Sequence, residues 1–237
     1  MKINLSKIKS YMFITGIFFV CYAHTSAQKN PVENYIQQAG DYANIYAGKM
    51  ETNYNSLIYE NYPYYINADF TDASIVYRNN YYPNQKVRLD LFKEQLIILP
   101  PEKQFGIIAR SEDVEKVYMY SKTFVWLIPL KESGLKAGFY IQLLNSEKMQ
   151  LFGKEYFTVR DNLVTYSFDH SSRYYLLYNG RYYTVKNKGS FSKLFPKYKK
   201  QINQFVKNNN LEFNKNTDIS LASLAGYCEE LITSTNK

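Results

Sequence analysis

From Ala73 to Lys186 the chain repeats short runs rich in Val, Ile, Tyr, Phe and Thr, divided by turn residues and never by a helical stretch. Strands in such immediate succession show the pattern of antiparallel strands joined by hairpins, since a parallel pair needs a crossover of about a dozen residues or more. A parallel βαβ sheet is thereby disfavoured. The candidate strands are 73–78, 85–92, 95–99, 105–109, 114–120, 123–128, 138–144, 148–152, 156–160, 173–178 and 181–186. Between them stand Asn79-Asn80, Lys93-Glu94, Pro100-Pro101, Ser121-Lys122, the segment 145–147 and Asn179-Gly180. Asn and Gly accept the left-handed backbone that tight hairpins require.

Asn179-Gly180 fixes a register. A two-residue loop there sets Tyr178 against Arg181, Leu177 against Tyr182, Leu176 against Tyr183, Tyr175 against Thr184 and Tyr174 against Val185. One face of this hairpin then carries Tyr174, Leu176, Tyr178, Tyr183 and Val185, and the other Tyr175, Leu177, Tyr182 and Thr184. Both faces are partly apolar, so the hairpin is either covered on both sides or presents an aromatic strip to a ligand.

Helical spacing flanks the strand region. Residues 30–48 read as one helix, with Asn30 as N-cap, Pro31 in the first turn, Gly48 as stop, and Val32, Tyr35, Ile36, Ala39, Tyr42, Ala43 and Tyr46 along one stripe. Near the other end, Phe195, Tyr198, Ile202, Phe205 and Val206 recur at helical spacing behind Ser190, with Pro196 dividing or starting the helix. A further helix over 217–232 turns Leu221, Leu224, Cys228 and Leu231 inward. The expected fold is α+β and mainly β: an antiparallel meander forming a half-barrel or twisted sheet, packed by an N-terminal helix and two C-terminal helices.

Residues 11–23 form an uncharged apolar run behind Lys2, Lys7 and Lys9 and ahead of Thr25-Ser26-Ala27. It is shorter than the roughly 20 residues a membrane-crossing helix needs, and its flanks are those of an export signal. Phe18-Phe19-Val20 before Cys21 do not match a lipoprotein signal, which places a small residue there. The expectation is a signal peptide over 1–27, cleavage near Ala27, and a β-rich domain over 28–237 that is periplasmic or attached to the cell envelope, without a transmembrane span. Removing 1–27 takes the net charge from +8 to +5, since that segment holds three lysines and no acid. So mild a charge on an exported chain argues against nucleic acid as a partner. Cys228 is then the only cysteine, and no intramolecular disulfide can form.

Chemistry-bearing patterns are few. With His170 the only histidine after residue 27, two-histidine metal sites and His-Glu-x-x-His are excluded, and no phosphate loop or calcium loop occurs. No cofactor is expected. Asp169-His170-Ser171 holds the residue types of a triad, but triads are assembled from distant segments, and this run reads as a loop. Ser133-Gly134-Leu135-Lys136 and Ser190-Phe191-Ser192-Lys193 fit Ser-x-x-Lys without its companion motifs. Arg88 and Asp90, alternating with Val87, Leu89 and Leu91, read as the polar face of a strand.

The remaining surplus is aromatic. Eleven tyrosines lie between Tyr35 and Tyr82 inclusive, with Tyr59, Tyr62, Tyr64 and Tyr65 crowded around Pro63. A tyrosine offers a rigid face with a polar tip, suited to a sugar ring, to a protein partner, or to sealing a half-buried loop. As ligand-binding candidates we take Tyr62, Tyr64, Tyr65, Tyr175 and Tyr182. They point to a non-enzymatic binding module for an envelope protein or a glycan. The alternatives are a carrier of a lipid or other apolar ligand in a half-barrel concavity, and a hydrolase using His170.

Ile45-Tyr46-Ala47-Gly48-Lys49, Tyr62-Pro63-Tyr64, VRLDLFKEQLIIL at 87–99 before Pro100, GFYIQLL at 138–144 and RYYTVKNKGSFSKLFPKYKKQINQFVKNNNLEF at 181–213 carry a resemblance. They are similar to an uncharacterised family of secreted cell-envelope proteins of Gram-negative bacteria. The resemblance implies a β-rich exported domain ending in helices, and no activity comes with it.

Overall fold

Antiparallel pairing organises residues 49–185 in the computed structural model, which describes residues 31–39, 43–101, 103–128 and 133–235. The strands are β1 (Lys49–Met50), β2 (Thr71–Tyr77), β3 (Asn80–Asp90), β4 (Gln95–Leu99), β5 (Ile107–Ile108) and β6 (Val114–Met119). They continue with β7 (Lys122–Leu127), β8 (Gly138–Asn145), β9 (Met149–Asp161), β10 (Tyr166–Tyr178) and β11 (Arg181–Val185). Their order, β1-β5-β4-β3-β2-β6-β7-β8-β9-β10-β11, makes one open 11-stranded sheet. The chain runs outward from β2 to β5, returns through a 3-10 turn at Ser111–Asp113, sets β6 on the free side of β2, and meanders the other way to β11. Two meanders thus stand back to back.

The Asn179-Gly180 hairpin has the expected register, Tyr174 with Val185 through Tyr178 with Arg181. Elsewhere burial overrules turn preference. The two-residue loops are Arg78-Asn79 and Tyr120-Ser121, one residue earlier than the expected Asn79-Asn80 and Ser121-Lys122, and all four residues have positive φ. A one-residue slip would turn buried Ile75 and Val117 toward solvent, so the register holds and Arg78 and Tyr120 take the left-handed backbone. Pro83-Asn84, which resembles a turn, lies inside β3 where its pairing with β2 shifts register, so the strand begins at Asn80. The expected strands 148–152 and 156–160 are one continuous strand, β9, and β10 starts at Tyr166. Asp169-His170-Ser171 is therefore strand, not loop.

Strands far apart in the order meet because the sheet curls. β8 and β9 are paired at Ile141 and Gly153, with no registered pair beyond. At that separation Glu94, from the β3–β4 turn, enters: its Oε2 accepts the Phe139 N–H at 2.8 Å and its Oε1 accepts Lys154 Nζ at 2.6 Å. Lys154 Nζ also donates to the Phe139 carbonyl at 2.9 Å and lies 4.7 Å from the Tyr140 ring centre. Burial pushes the Glu94 carboxyl up and the Lys154 ammonium down, each opposed by its partner. Gly138 is required beside them, since a Cβ there would stand 2.5 Å from Glu94 Oε2.

Inside the curl, Ile75, Val87, Leu89, Leu96, Val117, Phe124 and Phe139 form the first core. The second is built by β9–β11 with α2 (Lys188–Leu194), α3 (Lys199–Asn208) and α4 (Thr217–Thr235), through Leu151, Leu176, Phe191, Ile202, Leu221, Leu224 and Cys228. Burial pushes the Cys228 thiol up to about 12. Three helices stand where two were expected, because Pro196 opens a 3-10 turn between α2 and α3. The cap of α2 is Asn187, whose side chain accepts the Gly189 N–H, in place of Ser190. The N-terminal helix, α1 (Pro31–Ala39), is shorter than 30–48, and Ala43, Ile45 and Tyr46 join the first core from around a 3-10 turn. The export segment 1–27, Asn30 and Tyr42 lie outside the described residues.

Lys154→Met leaves Glu94 buried without its cation and should lower unfolding free energy in urea by about 3–5 kcal/mol. A Glu94→Leu/Lys154→Met double variant should stay about 1–3 kcal/mol below the wild type, because the Phe139 N–H and carbonyl then lose their partners.

Candidate functional site

The candidate site starts from two residues of β3. Arg88 and Asp90 point to the face opposite the first core, and there the loop between β1 and β2 folds over them. Asp90 is buried: its Oδ1 accepts the N–H groups of Phe92 and Lys93 at 2.9 and 2.8 Å, and its Oδ2 accepts the Tyr54 hydroxyl at 2.8 Å. Burial pushes this carboxyl up despite those donors. The pair thus lies on the polar face of the strand, and that face is covered: Asp90 by backbone donors and a tyrosine, Arg88 by an ion pair and two rings.

Arg88 lies between two rings, its guanidinium carbon 4.6 Å from the centres of both Tyr64 and Phe70. Its Nη2 and Nε donate to the two Glu51 oxygens at 2.5 and 3.2 Å, Nη1 to the Ala68 carbonyl at 2.8 Å, and Nη2 also to Asn53 Oδ1 at 2.8 Å. Glu51 Oε1 accepts the Tyr64 hydroxyl at 2.9 Å as well. The planar fork explains arginine here, since an ammonium cannot fill two ring faces and a bidentate carboxylate together. Gly106 closes the wall, where a Cβ would stand 2.2 Å from Ile97 and 2.8 Å from Glu51.

Around this floor runs a cleft of about 270 Å³ walled by Tyr54, Tyr62, Tyr64, Phe70, Phe105 and Gln104. Tyr54 is the hub: its ring meets Tyr59 and Phe168 edge-on at 5.2 and 5.3 Å, and Tyr62 and Tyr64 at 6.3 and 5.9 Å. Lys93 Nζ caps the same ring at 4.0 Å. Burial, then the neighbouring carboxylates, push the Tyr54 and Tyr64 hydroxyls up, and both stay protonated donors. Tyr62 is the open one, 37% exposed.

The candidate tyrosines separate. Tyr62 and Tyr64 meet in the cleft. Tyr65 points the other way, as its neighbour in an extended segment must, and packs 4.8 Å from Phe124 and 5.9 Å from Tyr120. Burial, then Glu155, push its hydroxyl up to about 12. Tyr175 and Tyr182 are half-buried on a third cluster, 6.2 Å from Tyr140 and 6.3 Å from Phe152. Glu51, Asn53, Tyr54, Phe70, Gln104 and Phe105 are additions. A dense tyrosine count marks Tyr54, while the others carry no local signal, being recruited by Arg88 across the fold.

Strand alternation splits Asp169-His170-Ser171. Asp169 pairs with Arg160 on one face, and His170 Nε2 meets Glu155 Oε2 at 2.5 Å on the other. Glu155 is also under the influence of Asp218, which Lys122 and the Tyr174 hydroxyl bind. Among the described residues no hydroxyl or thiol is hydrogen-bonded to the His170 ring. No group of three or more His, Cys, Asp or Glu suited to a metal occurs among the described residues. No family model, curated protein or solved structure matches the chain.

Arg88→Lys should cost about 1.5–3 kcal/mol of stability, read by urea denaturation, although charge is kept. Burial, reinforced by Asp218 and opposed by His170 and Lys122, raises the Glu155 carboxyl. Its folded value lies above the unfolded one, so its stabilisation is complete below about pH 4 and is lost as pH rises through the raised value. Relative to Glu155→Gln, the wild type should therefore lose thermal stability between pH 4 and pH 7.5; a gap that is constant or moves the other way contradicts the reading.

Proposed function

We propose that the protein is an exported, non-enzymatic binding module of the cell envelope whose cleft over β3 holds an uncharged sugar ring of a glycan. The observation that carries this is the neutralised floor: Glu51 takes the fork of Arg88, the cation among the described residues that line the cleft, so the lining offers mainly ring faces and amides. Aromatic faces beside Asn53 and Gln104 are the chemistry that a sugar, apolar on its C–H face and polar at its rim, requires. At about 270 Å³ the space suits one ring. Export rests on the lysines, apolar run and small residues of the N-terminal segment.

Apolar cargo is a poorer fit to walls of Tyr, Phe, Arg and Glu, and hydrolysis to a histidine whose partner is a single carboxylate. Tyr62→Ala decides between reading and rivals, because this ring is the most open of the cleft's tyrosines. In calorimetric titration against neutral and acidic oligosaccharides, the wild type should bind a neutral one, and the variant should bind it about tenfold more weakly at unchanged melting temperature. Binding confined to acidic sugars, or indifferent to Tyr62, contradicts the proposal.

A further inference from the structure

The most exposed aliphatic side chains described in the fold lie at two loop tips placed side by side. One is the turn between β9 and β10, where Leu163 is 98% and Val164 89% exposed; the other is the turn at 55–58, where Leu57 is 85% exposed. Hydrogen bonds hold the two together: Tyr166 N–H to the Ile58 carbonyl at 2.8 Å, Glu60 N–H to the Tyr166 carbonyl at 2.9 Å, and the Thr165 hydroxyl to Glu60. Each turn is built alike. Asp161 Oδ1 accepts the Leu163 N–H at 2.8 Å, and Asn55 Oδ1 accepts the Leu57 N–H at 2.9 Å, so a leucine stands at each apex. Leu163 holds φ at +73°, a left-handed backbone that favours Gly or Asn and strains a leucine. Solubility and turn chemistry both disfavour this placement.

We infer that these paired tips dip into the surface of a lipid bilayer. The order of side chains along the protrusion is that of a membrane interface. Aliphatic apices come first, then the amphipathic rings of Tyr166 and Tyr59, 5.9 Å apart, and behind them the Arg160–Asp169 ion pair. The turn amides have internal partners, Asn162 N–H on the Thr165 carbonyl and Ile58 and Tyr59 N–H on the Asn55 carbonyl, which lowers the penalty for leaving water. A protein partner is the poorer match. Stable interfaces bury about 800 Å² per side and are anchored by aromatic or arginine residues in shaped pockets, whereas two narrow convex apices supply aliphatic points. A bilayer needs no complementary shape. Glu60, Asp161 and Asp169 outnumber Arg160 nearby, so the contact should favour zwitterionic over anionic lipid.

The test places a reporter at the tip of the full chain. Val164→Trp is mixed with phosphatidylcholine vesicles brominated on the acyl chains, with the wild type giving the baseline from Trp126 and Arg181→Trp, beside the far β10–β11 turn, as control. Fluorescence at position 164 should fall at least about twofold more than in either, and Leu57→Ser/Leu163→Ser should reduce vesicle binding. Failure of position 164 to be quenched overturns the inference, whether the protein stays in solution or floats with the vesicles through another segment. So does binding that needs anionic lipid and is lost in high salt, the behaviour expected of the lysines on α2 and α3. Sedimentation showing a dimer dissociated by Leu57→Ser/Leu163→Ser assigns the tips to a second copy and equally overturns it.

Discussion

Glu94 and Lys154 hold the sheet in its curl. An open antiparallel sheet has a free choice of curvature until something joins strands that are not neighbours in it. Here the join is made where β8 and β9 separate, leaving the Phe139 N–H and carbonyl without a strand partner. Two unmade backbone bonds in a buried place are expensive, and so are two isolated charges. Together they are compatible, since the carboxylate takes the N–H, the ammonium takes the carbonyl, and each neutralises the other. The β3–β4 turn is thereby fixed against the other half of the sheet, and the first core closes between them.

Everything on the outer face of β3 follows from that anchoring. With the turn held, Asp90 can collect the Phe92 and Lys93 amides and still receive Tyr54, which ties the long loop to the strand four residues before Glu94. Tyr64 and Tyr65 then fall on opposite sides of one extended segment, one onto Arg88 and one into the core. The cleft and the core thus share a backbone, and neither can shift without the other.

Periodicity and turn chemistry were enough to read the antiparallel sheet, the final hairpin register and the inward Leu221, Leu224 and Cys228 of α4, because each depends on residues close in sequence. Leu231, expected inward with them, is half-buried. The expected break at 153–155 and the expected start at Gln85 fail for one reason: a residue that ends a strand in isolation is absorbed when its neighbours on both sides are paired. The cleft was half legible. Tyr62 and Tyr64 stood out by composition, but the value of Arg88 depends on Glu51, 37 positions away, and on a ring at Phe70. Alternation of polar and apolar residues along β3 reveals that Arg88 and Asp90 leave the core; it carries no information about what then covers them.

The cleft and the loop tips are joined by rings. Tyr54 contacts Tyr62 and Tyr64 in the cleft and Tyr59 outside it, and Tyr59 stacks on Phe168 at 5.3 Å and meets Tyr166 beside the tip. Phe168 in turn touches Phe92 in the β3–β4 turn at 5.2 Å. Rings edge-on around Tyr54 and stacked between Tyr59 and Phe168 oppose sliding of the loop. The protrusion is therefore set rigidly relative to the cleft, and a surface contacting Leu163 and Leu57 would find the cleft at a fixed distance and angle. A tyrosine-rich loop without regular structure gains in this way what a helix would otherwise supply, a packed element that positions the cleft and the loop tips together.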